Sequence, residues 1–130
     1  MKKGRVLIID DDLTFLEEIS SILLDAGYEV ATCGKAVEAI HVIRMNNPQC
    51  ILLDINMPGM KGDVLLPWIN SQKFNSEVVI CSGAVFNEEE VGAMEPAGIL
   101  KKPFKMNDLI DMIDSAIMLA SQKSSHRKSA

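Results

Sequence analysis

The sequence has no apolar run long enough to span a membrane, since its longest apolar segments are the length of a strand. The first four residues lead into such a segment rather than into a secretory hydrophobic region, so nothing in the pattern indicates export. Cysteines are few and odd in number, and Cys33, Cys50 and Cys81 lack the spacing of a metal site. We therefore expect buried free thiols in a reducing compartment, the cytoplasm.

Basic residues are outnumbered, because 13 lysines and arginines face 18 acidic residues and the net charge is −5. The last eight residues contain Lys123, Arg127 and Lys128 and no acid, so the rest of the chain is more acidic than the total. An acidic body argues against nucleic acid as a direct ligand. With 130 residues the chain has the size of one domain. We predict a domain over residues 1–121 and a basic, disordered tail or linker start over residues 122–130.

Short apolar runs alternate with segments of helical periodicity along the chain. This alternation, with short connections, is typical of an α/β fold in which helices cover both faces of a parallel sheet. The predicted strands are Arg5–Asp10, Tyr28–Cys33, Cys50–Asp54, Glu77–Ser82 and Gly98–Lys101, and the predicted helices are Leu13–Ala26, Lys35–Met45, one beginning between Lys61 and Asp63, Asn87–Glu95 and Met106–Ala120.

Several helix ends have recognisable boundary residues. Asp12 is a suitable N-cap for the first helix and Gly27 a suitable residue just beyond its end. The third helix contains Pro67, which removes a hydrogen bond inside a helix, so we expect a late start or a kink there. The fourth contains Gly92 and is cut off by Pro96, so it should be short and weakly held.

One carboxylate ends the most apolar strand. Four apolar residues, Cys50–Leu53, are followed by Asp54 and almost at once by the turn residues Pro58 and Gly59. A run of this kind is typical of a strand buried on both faces, whose last residue emerges at the carboxyl edge of the sheet, where open α/β folds bind their ligands. Asp54 alone could equally be a cap or turn residue.

Polar residues at the ends of other strands point to the same edge. Asp10 and Asp11 follow the first strand, Ser82 ends the fourth, and Lys102 follows the fifth. Carboxylates that converge repel one another unless a cation lies among them, and oxygen ligands without histidine or cysteine favour Mg²⁺. Mg²⁺ and Lys102 would supply two positive charges, and Ser82 a hydroxyl donor. Such groups around a carboxylate suit a transferred phosphoryl group, for which Asp54 is the natural nucleophile.

These motifs together resemble the receiver domain of two-component response regulators. The order and approximate spacing match for Asp10-Asp11, for Asp54 with Asn56-Met57-Pro58-Gly59 and Gly62, for Ser82, and for Lys102-Pro103-Phe104. The match covers about Lys3 to Ala120. The resemblance implies a flavodoxin-like, doubly wound (βα)5 parallel sheet with strand order 2-1-3-4-5.

The resemblance also implies roles for individual residues. Asp54 would accept a phosphoryl group from a phosphohistidine on a sensor histidine kinase or histidine phosphotransfer protein. Asp11, Asp54 and the backbone carbonyl of Asn56 would bind Mg²⁺, with Mn²⁺ as a substitute and Asp10 helping through water. Ser82 and Lys102 would hold the phosphoryl oxygens, and Lys102-Pro103 would have a cis peptide bond.

The output implied by the resemblance is a protein-interaction surface formed by helix four, strand five and helix five, biased by the charge gained at Asp54. Many receivers carry an aromatic residue in strand five, whereas Ile99 stands here. Ala84 and Asn56 occupy positions that tune hydrolysis in the family. The apolar stripe of the last helix, to which Met112, Ala116 and Leu119 contribute, is either ordinary core or a surface for a partner or a homodimer.

Three other functions share parts of this pattern. A phosphohydrolase resembling the haloacid-dehalogenase family would carry a second aspartate as general acid two residues after the nucleophile, but that position is Asn56. A flavodoxin-type cofactor site would need a phosphate loop rich in glycine, serine or threonine after the first strand, and no such loop follows it. A receiver module from a longer regulator or hybrid kinase would share the same chemistry. We therefore predict a signalling domain, with at most self-phosphorylation and slow self-dephosphorylation as catalytic activity.

Overall fold

The computed structural model describes residues 2–57, 62–72, 74–83 and 87–129, and everything below concerns that part of the chain. Strands and helices alternate, with a single 3₁₀ turn at Ala36–Glu38 before the second helix. The strands are β1 (Arg5–Ile9), β2 (Glu29–Cys33), β3 (Cys50–Leu53), β4 (Glu77–Ser82) and β5 (Gly98–Lys101), and the helices are α1 (Leu13–Asp25), α2 (Ala39–Asn46), α3 (Gly62–Ser71), α4 (Glu88–Ala93) and α5 (Met106–Ser129).

The five strands form one parallel sheet in the order β2-β1-β3-β4-β5. Ile9 is level with Leu53 and Cys33, and Leu53 is level with Ile80, so the three central strands end close to one another. The predicted flavodoxin-like fold and strand order are therefore confirmed. The carboxyl ends of all five strands meet at a single edge of the sheet.

Side chains of the central strands alternate between two apolar cores, one on each face of the sheet. Leu7 and Ile9 pack on the face covered by α2, α3 and α4, whereas Val6 and Ile8 pack on the face covered by α1 and α5. Because a strand alternates its side chains, the buried residues of β1 (Val6–Ile9) and all four residues of β3 must be apolar to fill both cores. Cys33, Cys50 and Cys81 are buried free thiols, as predicted.

The boundary residues of α1 act as predicted. The side chain of Asp12 accepts a hydrogen bond from the backbone N–H of Phe15 at 3.2 Å and so caps the helix. Gly27 follows the helix with a φ of 103°, a left-handed conformation that glycine adopts without a steric penalty. Asn47 similarly ends α2 with a φ of 45°.

Two predicted helix boundaries are wrong, the start of the second helix and the end of the last. The second helix begins with a 3₁₀ turn rather than as an α-helix at Lys35. The third helix begins at Gly62, within the predicted range, and includes Pro67 as expected, whereas the kink expected at the proline stays a prediction. Burial of Leu65, Leu66 and Ile69 offsets the hydrogen bond that the proline cannot make.

The last helix continues beyond its predicted end at Ala120 and extends to Ser129. Lys123 is part of it, and its ammonium group lies 2.8 Å from a carboxylate oxygen of Glu77 and donates to the carbonyl of Ser76 at 3.1 Å. These contacts attach the helix to the start of β4. The expectation of a disordered tail is therefore corrected for residues 122–129, which are helical, whereas a domain boundary after residue 121 stays a prediction.

Within the described ranges, no helix combines the length and the apolar character that crossing a membrane requires.

Candidate functional site

Three carboxylates meet at the carboxyl edge of the sheet, beyond the ends of β1 and β3. The backbone N–H of Asp10 donates to Cys33 at 3.1 Å, and that of Asp54 donates to Ile9 at 2.9 Å, so both residues extend the pairing of the strands. One carboxylate oxygen from each of Asp10, Asp11 and Asp54 lies within 4.8 Å of the others. The convergence expected from the sequence is thus present in the structure.

The three carboxylates differ in exposure. Asp10 is buried, with 1% of its surface exposed, whereas Asp54 is half-buried and Asp11 is exposed. Burial is the main cause that raises the pKa of Asp10 above its usual value, and the charge of Asp54 adds to it. Hydrogen bonds from Lys102 and from the backbone of Asp12 act in the opposite direction. Burial therefore disfavours the charged form of the Asp10 carboxylate.

Lys102 provides the positive charge of the site. Its ammonium group contacts Oδ2 of Asp10 at 2.5 Å, while Oδ1 of Asp10 accepts the backbone N–H of Asp12 at 3.0 Å. The peptide bond between Lys102 and Pro103 is cis, as the resemblance implied. The lysine thus reaches across the sheet edge from the end of β5 to the end of β1.

Ser82 and Asn56 border the carboxylates. Ser82 is buried at the end of β4, and its carbonyl accepts the backbone N–H of Lys102 at 3.0 Å. The backbone N–H of Asn56 donates to Oδ1 of Asp54 at 3.1 Å, which orients the Asp54 carboxylate. The roles assigned to these two side chains and to the Asn56 carbonyl remain predictions. Pro58, Gly59 and Ala84, which entered the sequence argument, lie outside the described residues.

The donor set suits a hard divalent cation. Three carboxylates give the cluster more negative charge than a single lysine neutralises, and every candidate ligand atom is an oxygen. Mg²⁺ prefers oxygen ligands, and a few protein ligands with several waters satisfy it. The residues present therefore fit the predicted Mg²⁺, with Asp10, Asp11 and Asp54 as the carboxylates available to it.

Phe15 is the site residue that sequence reasoning missed. The sequence predicts only that Phe15 belongs to the first helix, whereas in the structure its ring centroid lies 3.8 Å from the ammonium nitrogen of Lys102. An aromatic residue in the first turn after a pair of site aspartates was the available signal. Periodicity alone cannot reveal such a contact, because Lys102 comes from the other end of the chain.

Comparison with known proteins identifies related chains. The family model described as "Response regulator receiver domain" matches residues 6–114. The chain is 30% identical over 115 residues to the transcriptional regulatory protein PrrA of Mycobacterium tuberculosis and 32% identical over 112 residues to the response regulator protein FleR of Pseudomonas aeruginosa. The alignments cover 87% and 85% of this chain but only 49% and 24% of those proteins. The chain thus spans half or less of these relatives' length.

Solved structures agree with the observed fold. A CheY-like response regulator receiver domain from Methanospirillum hungatei superimposes with a TM-score of 0.83 at 25% identity. The superposition covers 92% of this chain and 98% of that one. The similarity therefore extends over almost the whole of both chains.

Proposed function

The chain belongs to the receiver domain family of response regulators, and we propose that it accepts a phosphoryl group on Asp54. The observation that carries this proposal is the meeting of three carboxylates within 4.8 Å, one of them bound to Lys102. Such a site concentrates both a nucleophilic oxygen and the charges needed to stabilise a transferred phosphoryl group.

In the proposed reaction, a carboxylate oxygen of Asp54 attacks the phosphorus atom of a phosphohistidine on the donor protein. A bond forms between that oxygen and phosphorus, the phosphorus–nitrogen bond breaks, and the imidazole leaves with the bonding electron pair and takes up a proton. The hydrogen bond from the Asn56 backbone to Oδ1 of Asp54 restricts rotation of the carboxylate and favours attack from one oxygen.

Mg²⁺ would be held by Asp11, Asp54 and the backbone carbonyl of Asn56, with Asp10 assisting through water, and Mn²⁺ could replace it. When bound, the cation would neutralise charge that develops on the phosphoryl oxygens. The support for this assignment is the oxygen-only donor set and the proximity of the three carboxylates.

Ser82 and Lys102 would donate to the phosphoryl oxygens. Lys102 already lies at the carboxylate cluster through its contact with Asp10, and Ser82 is joined to it through the backbone. The ammonium group would then exchange one anionic partner, the Asp10 carboxylate, for another. This exchange is the local change of charge from which a conformational switch can start.

The donor would be a sensor histidine kinase or a histidine phosphotransfer protein, and the downstream partner a protein that binds the surface of α4, β5 and α5. An ion pair between Glu88 and Lys101 connects α4 with β5, and Asn70 of α3 donates to the carbonyl of Met94 at the end of α4 at 2.7 Å. Ile99 is half-buried and packs on the core beneath α4. Movement of α4 would therefore change this surface directly, without rotation of an aromatic side chain.

The exposed side chains of α5 provide a further contact surface. Met118 and Leu119 are 65% and 42% exposed, whereas Ala116 is buried in the core. A homodimer through α5 is therefore a second function of the surface formed by α4, β5 and α5.

We place the protein in the cytoplasm, as a receiver by itself or within a longer regulator, without direct contacts to nucleic acid or membrane.

A hydrolase reaction is not favoured. Asn56 stands where a hydrolase of the haloacid-dehalogenase type would place its general acid, and an amide cannot protonate a leaving group. The protein would therefore retain the phosphoryl group as a signal, with at most self-phosphorylation and slow self-dephosphorylation.

The test is incubation of the full chain with a small-molecule phosphodonor and Mg²⁺, followed by gel-mobility detection of the phosphorylated form. Wild type should acquire one phosphoryl group, no labelling should occur when a chelator is added before the phosphodonor, and Asp54→Asn should acquire none. Asp25→Asn, an exposed change at the end of α1, serves as the matched control. Equal labelling of wild type and Asp54→Asn would refute the assignment.

A further inference from the structure

The ammonium group of Lys102 lies between two partners of different chemistry. On one side it contacts Oδ2 of Asp10 at 2.5 Å, and on the other it lies over the ring of Phe15, 3.8 Å from the centroid. The lysine side chain is 21% exposed, so most of it is withdrawn from water. A cation over an aromatic face is attracted by the negative potential of the ring, more strongly where water is excluded.

Phe15 is itself held in place. Its backbone N–H is bound by the capping side chain of Asp12, which directly follows the two site aspartates at the end of β1. Its ring meets the ring of Phe104 edge to face, with centroids 6.3 Å apart and planes at 88°. Phe104 follows the cis Lys102-Pro103 bond, so the aromatic pair links α1 to the same loop that carries the lysine.

An apolar cavity borders both the ring of Phe15 and the side chain of Lys102. A cavity of about 420 Å³ lies between α1 and the segment that leads into α5. Phe15, Lys102 and Phe104 are among the residues that line it. Without an aromatic ring at position 15 the cavity would be larger, and Lys102, which already borders it, would have space to move further into it and away from the carboxylates.

The two partners of Lys102 differ in what happens when the site is in use. Asp10 would share its oxygens with Mg²⁺ and its water ligands, so its attraction for the lysine weakens when the cation binds. The face of Phe15 does not bind Mg²⁺, so its attraction for the ammonium group does not weaken when the cation binds. With Asp10 engaged, the aromatic face is the contact that keeps the ammonium group at the phosphoryl site.

We propose that Phe15 is a positioning residue that holds the Lys102 ammonium group at the phosphoryl site through its aromatic face. The inference rests on the proposed phosphoryl transfer to Asp54 and adds a requirement for a π face at position 15. It predicts that aromatic replacements preserve the function of Lys102 and that an aliphatic replacement of similar bulk does not.

The first measurement detects the contact itself. A ring beneath a lysine shifts the resonances of the lysine ε protons upfield, so NMR of the full chain with saturating Mg²⁺ should show Lys102 shifted upfield. The shift should persist in Phe15→Tyr and disappear in Phe15→Leu. An unshifted Lys102 in wild type would overturn the proposal, because the ring would not then lie over the ammonium group in the loaded site.

The second measurement is the rate of labelling by a small phosphodonor at saturating Mg²⁺. Phe15→Leu should be slower than wild type by about 2- to 30-fold, the range that corresponds to a cation–π contact, and Phe15→Tyr should remain within about twofold. Phe74→Leu is the matched control, because Phe74 is also half-buried in an aromatic pair, with Trp68, whose ring centroid is 5.7 Å away. It should label at the wild-type rate, and thermal unfolding of all variants checks that they fold.

The outcomes separate this inference from the function on which it rests. Labelled wild type with an equally fast Phe15→Leu would overturn the positioning role alone. A Phe15→Tyr variant as slow as Phe15→Leu would also overturn it, because shape rather than the π face would then matter. Wild type that takes no label would overturn the proposed function, and the positioning role with it.

Discussion

Replacing Asp54 by asparagine should make the protein more stable in the absence of divalent cations. One oxygen of Asp54 lies within 4.8 Å of oxygens from Asp10 and Asp11. Two unit charges at that separation repel by about 1 kcal/mol in a water-like medium and about 3.5 kcal/mol at an effective dielectric constant of about 20. Asp11 is exposed and screened, and Lys102 offsets part of the repulsion, so we expect a gain of about 1–3 kcal/mol in the free energy of unfolding.

The substitution leaves local hydrogen bonding intact, because the asparagine Oδ1 can still accept the backbone N–H of Asn56. The gain should depend on pH. The pKa of Asp10 is raised above its usual value of 3.8, chiefly by burial and in part by Asp54. The folded protein therefore binds this proton more tightly than the unfolded chain, and the resulting stability is complete below pH 3.8 and is lost as pH rises through the folded pKa. The advantage of Asp54→Asn should thus be larger at pH 7 than at pH 4.

Thermal and urea unfolding at low ionic strength with a chelator would measure the effect. For a domain of this size the midpoint should rise by roughly 4 °C for each kcal/mol. Asp111→Asn is the control, since this aspartate is exposed on α5 outside the cluster and should change stability by at most about 0.5 kcal/mol. Added Mg²⁺ should stabilise wild type more than Asp54→Asn. A variant that is no more stable than wild type at pH 7 would refute the argument from charge repulsion.

Two further predictions concern other parts of the fold. The hydroxyl of the fully buried Tyr28 donates to Asp114 of α5, so Tyr28→Phe should cost about 1–2 kcal/mol of unfolding free energy, and a double-mutant cycle with Asp114→Asn should show that the two changes are not additive. Burial raises the pKa of Cys81 to about 12 and also raises the pKa of Cys33 and Cys50, so iodoacetamide at pH 8 should leave the native thiols unmodified and label all three after denaturation. Rapid labelling of the native protein would contradict the buried positions.

Local sequence patterns were sufficient for the architecture. The all-apolar runs of β1 and β3 indicate strands buried on both faces, and the alternation of strands and helices indicates a parallel sheet. Caps such as Asp12 and Gly27 mark helix ends because their effect depends on neighbours within a few residues. The meeting of Asp10, Asp11 and Asp54 also followed from the sequence, because parallel strands end at a common edge.

Helix boundaries set by distant contacts did not follow from the sequence. Pro67 was expected inside the third helix, but the burial of Leu65, Leu66 and Ile69 that outweighs its local penalty depends on the assembled fold. The last helix passes Ala120, where Lys123 meets Glu77 and the carbonyl of Ser76 at the start of β4. Periodicity within a segment carries no information about such partners.

The sequence by itself determined the sheet, its order through the resemblance, and the edge at which the carboxylates and Lys102 meet. Only the tertiary structure decided which groups the ammonium group of Lys102 contacts. It binds Asp10, which is 92 residues away in the sequence, and lies over the ring of Phe15. The physical reason is that strand ends are positioned by backbone pairing, which the apolar pattern encodes. The contacts of a long side chain depend instead on the charges, the shape and the exclusion of water that the folded protein creates around it.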